Sequence, residues 1–498
     1  MNNLTEFIYH SAENTPDKPF IIHGDYKISF QKAASQISSI SRELQNAGVK
    51  SGQTVGILLQ NCPEFVLTYL AVLNTGALAS LLPWTMPEDE VATLATTTRV
   101  DSLIYSVEFQ SYADHIRNLS AHPIRFFIHG RETGNDAVNI YDLIRDSDSK
   151  ELLKNYNTRN NAVVLFSAGD FTHPKSLVFT HESIITTALS VSERFHKNYQ
   201  FRIYTSLPYF HYFPFSLVIN LAIVTGNTIV IPFDSSRSEL YKSIQKHGVN
   251  IFVSNSGFIK ELISEKYLEP KKLKSIEFYI PVCGSFSIDV KNIIFRRYNA
   301  QVIEAYGVAE APVIAMNFND RFINTASVGK PLSCCKVKIL DDRGNPLGTN
   351  EPGYLYVKGK NTFDHYIDRY SPTDEWIDTG DVARQDDEGY LYWICKKSDW
   401  FYRYGFRVDP NQIISVAKKY NGISEATVFS SKQNHWHDLL TLIVTLDNEN
   451  ELDVNKFMSY LKEYLPKYTV PEKIKVIDHF DRNCVGIIKK SHITFDEH

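Results

Sequence analysis

The stretch LFSAGDFTHPKSLVFTH, residues 165–181, governs the interpretation of the whole chain. Apolar residues at both ends enclose a polar centre that contains Gly169 and is followed by Pro174 and Lys175. Apolar runs on either side of a glycine and a proline are typical of regular elements joined by a turn. Taken alone, this segment fits an ordinary strand, turn and helix about as well as it fits a binding loop.

Six further blocks follow downstream in a fixed order. They read SLPYFHYFPF (206–215), AYGVAEAP (305–312), SVGKPL (327–332), EWIDTGDVARQDDEGYLYW (375–393), CKKSDWFYRYGFRVDP (395–410) and FDRNCVGIIKK (480–490). Together with residues 165–181, they resemble the motifs of the acyl- and aryl-adenylating enzymes, the AMP-binding superfamily of acyl-CoA synthetases and luciferases. In that family the first block usually reads LYTSGTTGxPKGVVLTH. The resemblance covers nearly all 498 residues, and the chain reads as a divergent member.

The N-terminal segment predicts an α/β fold. Its apolar periodicity indicates an amphipathic helix, a hairpin and a longer helix that ends at Gly48. An apolar strand from Thr54 to Leu59 then precedes a helix from about Pro63 to Thr75. A buried parallel strand followed by a helix is the beginning of a βαβ layer.

A chain of 498 residues exceeds what one hydrophobic core normally serves, so we expect at least two domains. The run YLYWI at 390–394 alternates like a strand, and the pattern breaks at CKKSD. We therefore divide the chain into an N-terminal domain, residues 1–395, and a C-terminal domain, residues 396–498. In the second domain we expect two strands and a helix, at 425–431, 439–447 and 453–464. The resemblance implies two layered βα subdomains plus a small β subdomain in the first domain, and a small mobile α+β second domain hinged at Asp399.

Composition narrows the functional classes. A net charge of −5 gives no basic footprint for nucleic acid, so a small-molecule substrate is expected. The N-terminus lacks the pattern of a signal peptide, and no stretch approaches the roughly 18 apolar residues of a membrane span, which favours a cytoplasmic protein. Six cysteines without metal-ligand spacing are interpreted as reduced packing residues: Cys62, Cys283, Cys334, Cys335, Cys395 and Cys484.

The resemblance makes residues 165–177 a phosphate-binding loop in which Gly169, Pro174 and Lys175 keep their places. In such loops glycines let backbone N–H groups surround phosphate oxygens, and a lysine adds a donor. Ala168, Asp170, Phe171, Thr172 and Ser176 stand where the family has Ser, Thr, Thr, Gly and Gly. An aspartate aimed at a triphosphate is repulsive, and Phe and Thr remove conformational freedom that glycine has.

Further nucleotide-site residues are implied along the chain, namely Tyr306, Gly307, Glu310, Asp381 and Lys396. Glu310, after Tyr306 and Gly307, resembles the glutamate that holds Mg²⁺ between the ATP phosphates, although a solvated loop acid is the simpler alternative. Asp381 of the TGD motif resembles the aspartate that accepts both ribose hydroxyls. Lys396 takes the place of an arginine that also reaches the ribose, and it keeps the charge without the planar fork.

The acid-binding residues implied by the resemblance come from two blocks. His211 matches a histidine that lies against the carboxylate substrate; a core histidine bonded to a backbone carbonyl is the alternative. Amino-acid-activating relatives have an aspartate just after it, and residues 212–217 offer none, which favours an acyl or aryl acid. Gly284, in VCGSFSI at 282–288, matches a loop that stacks on adenine and lines the acid site, and its backbone could approach a ligand closely.

The C-terminal block departs most from the family. Adenylating members have a lysine after the glycine, where it bridges the α-phosphate and the carboxylate, whereas Gly486 is followed here by Ile487. Lys489 and Lys490 lie nearby. In an extended segment, a two-residue offset keeps the same face but moves the amine about 6.6 Å along the chain.

Three functional interpretations follow from these residues. The leading one is ATP-dependent activation of a carboxylic acid through an acyl-adenylate, with Mg²⁺, followed by transfer to the thiol of CoA or of a phosphopantetheine-bearing acyl carrier protein. The rival is a catalytically impaired protein of the same fold that binds an acyl group, a nucleotide or a partner without turnover. A third is a ligase that performs one half-reaction only.

Overall fold

The structure is a computed structural model. It describes residues 1, 3–130, 137–140, 160–167, 174–195, 200–234, 236–264, 270–282, 284, 286–317, 326–368, 375–403, 406–434, 437–447, 452–482, 488 and 493. The chain forms two compact units. The first comprises Met1–Lys336 and Lys358–Glu375, and the second comprises Val337–Val357 and Trp376–His498.

The first unit contains an eight-stranded sheet with a mainly parallel core. In spatial order its strands are His365–Tyr366, Ser176–Thr180, Asn161–Phe166, Leu78–Leu81, Thr54–Leu58, Val100–Ser106, Arg125–His129 and Ala137–Asn139. The first two pairings are antiparallel and the remainder are parallel. All five residues of Thr54–Leu58 are buried, as expected for a central parallel strand that is covered on both faces.

A second sheet of the first unit has seven strands. In spatial order they are Gln301–Val302, Phe278–Val282, Ile251–Asn255, Arg202–Thr205, Thr228–Ile231, Pro19–His23 and Tyr26–Ser29. Every pairing is parallel except the last, which is the hairpin at the edge. A small antiparallel sheet follows, made of Ala305–Val308, Ala311–Met316 and Lys330–Pro331.

Helices accompany these strands along the chain. They are Leu4–Asn14, Phe30–Asn46, Pro63–Thr75, Glu88–Thr97, Gln110–Leu119, His181–Ser192, Tyr212–Pro214, Leu221–Thr225, Arg237–His247, Ser256–Ser264 and Ile288–Tyr298, with a π-helical turn at Phe215–Asn220 and 3₁₀ turns at Val107–Phe109 and Pro270–Leu273. The predicted helix from Pro63 to Thr75 is confirmed. It begins with proline at the first helical position and ends at Gly76 in the left-handed conformation, because those residues suit the two ends of a helix.

The second unit contains most of a four-stranded sheet, ordered Cys335–Leu340, Gly353–Gly359, Ile377–Gln385 and Leu391–Lys396. It also holds a five-stranded sheet made of Phe406–Val408, Phe401–Arg403, His437–Leu446, Ile423–Asn434 and Lys473–Val476. Its helices are Pro410–Ala417 and Val454–Tyr464, with 3₁₀ turns at Lys397–Asp399 and Lys467–Thr469. The three elements expected at 425–431, 439–447 and 453–464 are therefore confirmed, with longer strands than predicted.

The sequence analysis predicted the fold class and the domain boundary. The α/β fold is confirmed. The compact units divide the chain at positions other than the boundary between residues 395 and 396, and movement about a hinge at Asp399 stays a prediction. No helix in the part of the chain that the structure describes combines the length and the apolar content of a membrane span.

Candidate active site

The base of the predicted phosphate loop is a closed hairpin. Strands Asn161–Phe166 and Ser176–Thr180 pair antiparallel, with Phe166 opposite Ser176. At the loop, the Ser167 N–H donates to the Lys175 carbonyl over 3.0 Å, and the Lys175 N–H donates to Ser167 Oγ over 3.0 Å. These two bonds fix the backbone of Lys175. Gly169 and the substituted positions 168–173 lie outside the described residues.

Lys175 and Glu310 are 135 positions apart in the chain, and the structure brings them together. Lys175 Nζ lies 3.0 Å from Glu310 Oε1, and the carboxylate side chain is 13% exposed against 40% for the lysine. Glu310 occupies the turn between Ala305–Val308 and Ala311–Met316, and its carbonyl accepts the Phe363 N–H over 2.8 Å. The predicted phosphate-binding lysine and the predicted Mg²⁺ ligand therefore form one ion pair.

Tyr366 completes this pair and was not predicted from the sequence. Its hydroxyl donates to Glu310 Oε1 over 3.0 Å, and Lys175 Nζ lies 5.4 Å from its ring centroid, within the range of a cation–π contact. Tyr366 reaches the site because it pairs with Leu177 in the strand next to the loop. The HY dipeptide at 365–366 carries no signal of that pairing, which depends on strand register across about 190 positions of the chain.

Tyr306 and Gly307 shape the hairpin that presents Glu310. Tyr306 is buried, and the register shifts between it and Val308, so that Gly307 lies in an irregular position. A Cβ atom on Gly307 would stand 2.1 Å from the Pro312 carbonyl oxygen, which only glycine avoids. The Tyr212 hydroxyl donates to the Gly307 carbonyl over 3.5 Å, so the aromatic run after His211 contacts this hairpin.

His211 is buried, with 7% of its surface exposed, and stacks on Tyr212 at a centroid distance of 4.4 Å. Burial lowers the pKa of His211 to about 3, so the ring is neutral at physiological pH. Its Nδ1 accepts the Phe213 N–H over 3.4 Å, which places the single ring proton on Nε2. The ring can therefore donate a hydrogen bond from Nε2, and it is a poor proton acceptor.

Gly284 lies beside a buried ion pair that sequence reasoning missed. A Cβ atom on Gly284 would stand 2.6 Å from Ser256 Oγ, and its φ of +149° is unusual for other residues. Nearby, Glu304 is buried and accepts the Phe286 N–H over 3.1 Å, while Lys291 Nζ lies 2.8 Å from the same carboxylate oxygen. Burial raises the pKa of Glu304, and Lys291 opposes that rise. Glu304 thus ties the 282–288 segment to the strand that leads to Tyr306.

Asp381 and Lys396 lie in the second unit and are opposite each other on paired strands. Lys396 Nζ lies 2.8 Å from Asp381 Oδ1, and the Trp393 Nε1–H donates to the same oxygen over 3.0 Å. The aspartate side chain is 1% exposed and the lysine side chain is 54% exposed. The two predicted ribose contacts thus form a single polar group, with Trp393 as an unpredicted member.

The described residues contain no group of three or more His, Cys, Asp or Glu side chains that could enclose a metal. Glu310 instead lies next to Lys175 at the base of the predicted phosphate loop. This donor set fits Mg²⁺, which keeps several waters and is usually held by one or two carboxylates together with substrate phosphates. Ile487, Lys489 and Lys490 lie outside the described residues.

Comparisons with known proteins agree over most of the chain. The family described as AMP-binding enzyme matches residues 8–367. The chain is 24% identical over 502 residues to 2-succinylbenzoate–CoA ligase of Bacillus subtilis (strain 168), with 98% of both sequences covered. It is 22% identical over 488 residues to crotonobetaine/carnitine–CoA ligase of Salmonella paratyphi A (strain ATCC 9150 / SARB42), with 93% of each covered.

Solved structures show the same fold. The o-succinylbenzoate CoA synthetase of Bacillus subtilis in complex with the acyl-adenylate OSB-AMP matches with a TM-score of 0.84 at 23% identity, covering 100% of this chain and 99% of that chain. ATP-bound MatB from Rhodopseudomonas palustris matches with a TM-score of 0.87 at 18% identity, covering 99% and 98%. The family match spans well over half of the sequence and includes the Lys175–Glu310 site. The chain therefore belongs to the AMP-binding enzyme family.

Proposed function

We propose that this protein activates a carboxylic acid with ATP and passes the acyl group to the thiol of CoA. In the first half-reaction a carboxylate oxygen attacks the α-phosphorus of ATP, giving an acyl-adenylate and pyrophosphate. In the second half-reaction the thiol attacks the acyl carbonyl and AMP leaves. Membership of the AMP-binding enzyme family and the CoA ligases among its relatives support this proposal.

The observation that carries the proposal is the Lys175–Glu310 pair at the base of the phosphate loop. An ammonium with 40% of its side chain exposed can turn from a carboxylate to a phosphate oxygen without a large desolvation cost. Glu310 then offers its carboxylate to Mg²⁺, and Tyr366 keeps that carboxylate in place. Mg²⁺, when bound, neutralises part of the charge of the phosphates.

His211 is assigned to the acid rather than to proton abstraction. A neutral imidazole with its proton on Nε2 can donate to one carboxylate oxygen and leave the other free to attack. The pKa of about 3 argues against a general base, because a base that works near neutral pH needs a pKa near that pH. The aromatic surroundings of His211 and the absence of an acidic residue at 212–217 favour an acyl or aryl acid without an α-amine.

Asp381 and Lys396 are assigned to the ribose of the nucleotide. Their ion pair fixes the carboxylate in one orientation, and Trp393 contacts the same oxygen. A carboxylate held in this way can accept hydrogen bonds from vicinal hydroxyls without first losing side-chain entropy. Gly284 and Tyr306 are assigned to the adenine side, where Glu304 fixes the backbone between them.

The acceptor is CoA in this proposal, and a phosphopantetheine-bearing acyl carrier protein is the second candidate. Both present the same thiol on the same pantetheine arm, so the residues of the first half-reaction do not separate them. Rates with free CoA and with a loaded carrier protein distinguish the two. If the carrier protein is acylated at least as fast as CoA, the carrier protein is the acceptor.

Binding without turnover is the alternative that the substitutions Asp170, Phe171 and Ile487 favour. A direct test incubates the purified protein with ATP, Mg²⁺ and a panel of fatty, aryl and short acids, and detects acyl-AMP by mass. We expect acyl-AMP with at least one acid, its conversion to acyl-CoA when CoA is added, and loss of both products in Lys175→Ala. Nucleotide binding without acyl-AMP from any acid would favour the alternative.

A further inference from the structure

Asn61 joins the two large sheets of the first unit next to His211. It lies in the turn between the strand Thr54–Leu58 and the helix Pro63–Thr75, at the carboxyl end of that strand. Its side-chain Nδ2–H donates to the Leu207 carbonyl over 2.8 Å, and its Oδ1 accepts the Tyr209 N–H over 2.8 Å. Both partners follow the carboxyl end of a strand in the seven-stranded sheet.

The amide of Asn61 fixes the backbone on both sides of Pro208. The Pro208 carbonyl in turn accepts the His211 N–H over 3.1 Å, and the His211 carbonyl accepts the Phe215 N–H over 3.0 Å. The position of the imidazole therefore follows from the position of segment 207–209. Asn61 bonds this segment from a turn at the edge of the other sheet, and Phe65 of the following helix packs on Tyr209 at a ring-centroid distance of 5.5 Å.

An uncharged amide suits this task, because its Nδ2–H donates to the Leu207 carbonyl while its Oδ1 accepts the Tyr209 N–H. An ionised aspartate has no donor and an apolar side chain has neither group, whereas a serine hydroxyl would have to serve both partners from a single atom. Leu207 and Tyr209 are both buried, so removal of the amide would take away the side-chain partner of a carbonyl and an N–H in a buried segment.

We propose that Asn61 is a positioning residue for acid activation, which fixes segment 207–209 and thereby the place where His211 Nε2 meets the acid. This inference rests on the proposed function. It adds to that function a residue in a turn next to a different sheet, about 150 positions before His211 in the chain, which acts on His211 through segment 207–209.

The chain offers a matched control in Asn250. Its Nδ2–H donates to the Gln200 carbonyl over 2.9 Å and its Oδ1 accepts the Arg202 N–H over 2.8 Å, so it holds residues two apart just as Asn61 does. Asn250 acts at the amino end of the strand Arg202–Thr205, and the His211 turn follows the carboxyl end. Loss of the Asn250 amide removes a comparable pair of hydrogen bonds without touching segment 207–209.

The experiment compares full-length wild type, Asn61→Ala and Asn250→Ala in two assays. For Asn61→Ala we expect kcat/KM for the acid in pyrophosphate exchange to fall about 10- to 100-fold, the scale of a small misplacement of a reacting group. The KM for ATP should stay within about threefold, since the nucleotide residues are untouched. In Asn61→Ala, hydrogen–deuterium exchange should rise in peptides covering 206–215. In Asn250→Ala, exchange should rise in peptides covering 200–205 instead. Asn250→Ala should keep the wild-type kcat/KM for the acid.

Asn61→Asp serves if Asn61→Ala does not fold, because it keeps the acceptor for the Tyr209 N–H and loses the donor to the Leu207 carbonyl. Acid kinetics equal to wild type in either Asn61 variant, or an equal loss in Asn250→Ala, would overturn the inference and leave the proposed function intact. Unchanged exchange in 206–215 would overturn it as well. A wild type that activates no acid in the panel overturns the proposed function, and this inference with it.

Discussion

At the scale of single residues, the candidate site is held together by short polar contacts, since Lys175 Nζ and the Tyr366 hydroxyl each lie 3.0 Å from Glu310 Oε1. Lys175, Glu310 and His211 carry groups that phosphate, metal and carboxylate chemistry needs, and they stand in motifs that can be quoted from the sequence. Tyr366 and Asn61 carry common side chains in unremarkable segments. Their roles come from strand pairing and from a turn in another sheet, and those relations are set by the fold and not by neighbouring residues.

Glu310→Gln should separate charge from hydrogen bonding at the predicted Mg²⁺ ligand. The amide oxygen can still accept from Tyr366, but it no longer attracts a divalent cation as a carboxylate does. We expect the Mg²⁺ concentration for half-maximal acyl-AMP formation to rise about tenfold, equivalent to about 1.4 kcal/mol. Glu182→Gln is the control, since Glu182 pairs with Lys360 over 2.8 Å in the same unit. If both variants need the same Mg²⁺ concentration, Glu310 is not a ligand of the metal.

His211→Gln should change the pH dependence of stability. The pKa of His211 falls from an ordinary 6.5 to about 3 on folding. Between these values the unfolded chain binds a proton that the folded chain does not, so the free energy of unfolding decreases as pH falls through that window. Each such histidine contributes a slope of up to about 1.4 kcal/mol per pH unit. Removing His211 should therefore flatten the dependence of stability on pH between about 3 and 6.5.

His181→Gln is the matched control for that experiment. His181 is also buried, which lowers its pKa to about 4, and it begins the helix His181–Ser192 in the core. Its removal should flatten the same stability profile in urea titrations. Only His211→Gln should raise the KM for the acid. If both variants leave the acid kinetics unchanged, His211 is a core histidine, as the simpler interpretation of the sequence had it.

At the scale of elements, local patterns predicted the regular structure, the N-terminal hairpin and the parallel strand Thr54–Leu58, and left most other strand pairings open. The helix Pro63–Thr75 and the C-terminal strands and helix follow from apolar periodicity and end signals. The second apolar run of residues 165–181 is a strand, Ser176–Thr180, paired back on Asn161–Phe166, and the helix starts only at His181. A run of three apolar residues, Leu177 to Phe179, is too short for periodicity to distinguish a strand from a buried helical turn.

Tyr366→Phe tests whether the two-residue strand His365–Tyr366 contributes to the site. The substitution keeps the ring beside Lys175 and removes the hydroxyl that donates to Glu310. We expect kcat/KM for ATP to fall about tenfold, the low end of what a hydrogen bond to a charged group is worth. Tyr112→Phe is the control, because that hydroxyl bonds the carbonyls of Trp84 and Met86. Equal ATP kinetics in the two variants would confine Tyr366 to a packing role.

At the scale of the whole molecule, the order of motifs predicted the fold and the family, because that order is a property of the entire chain. It could not predict how much activity the departures leave. The substitutions in the predicted phosphate loop remove expected contacts to the ATP phosphates. Ile487 removes the positive charge that a lysine would place beside the α-phosphate. The relatives named as CoA ligases and the intact Lys175–Glu310 pair favour turnover.

Ile487→Lys measures the cost of the C-terminal departure. An ammonium placed against the charge that develops in adenylation is worth roughly 10²- to 10³-fold in rate. If the natural protein lacks that contribution, the variant should form acyl-AMP faster and bind the acid with unchanged affinity. If Lys489 or Lys490 already supplies it, Ile487→Lys should add little, and alanine at both lysines should abolish acyl-AMP formation. No change in any of these variants would mean that this segment does not serve adenylation.

In the proposed reaction a carboxylate oxygen of the substrate becomes bonded to the α-phosphorus of ATP. The most direct test uses an acid that carries ¹⁸O in both carboxylate oxygens. The acid is incubated with the full-length protein, ATP, Mg²⁺ and CoA, and the AMP released is measured by mass spectrometry. Attack on the α-phosphorus and expulsion of AMP by the thiol leave one heavy oxygen in the phosphate of each AMP. Unlabelled AMP alongside acyl-CoA, or label in pyrophosphate or inorganic phosphate, would contradict the acyl-adenylate route and with it the assignment of Lys175, Glu310 and His211.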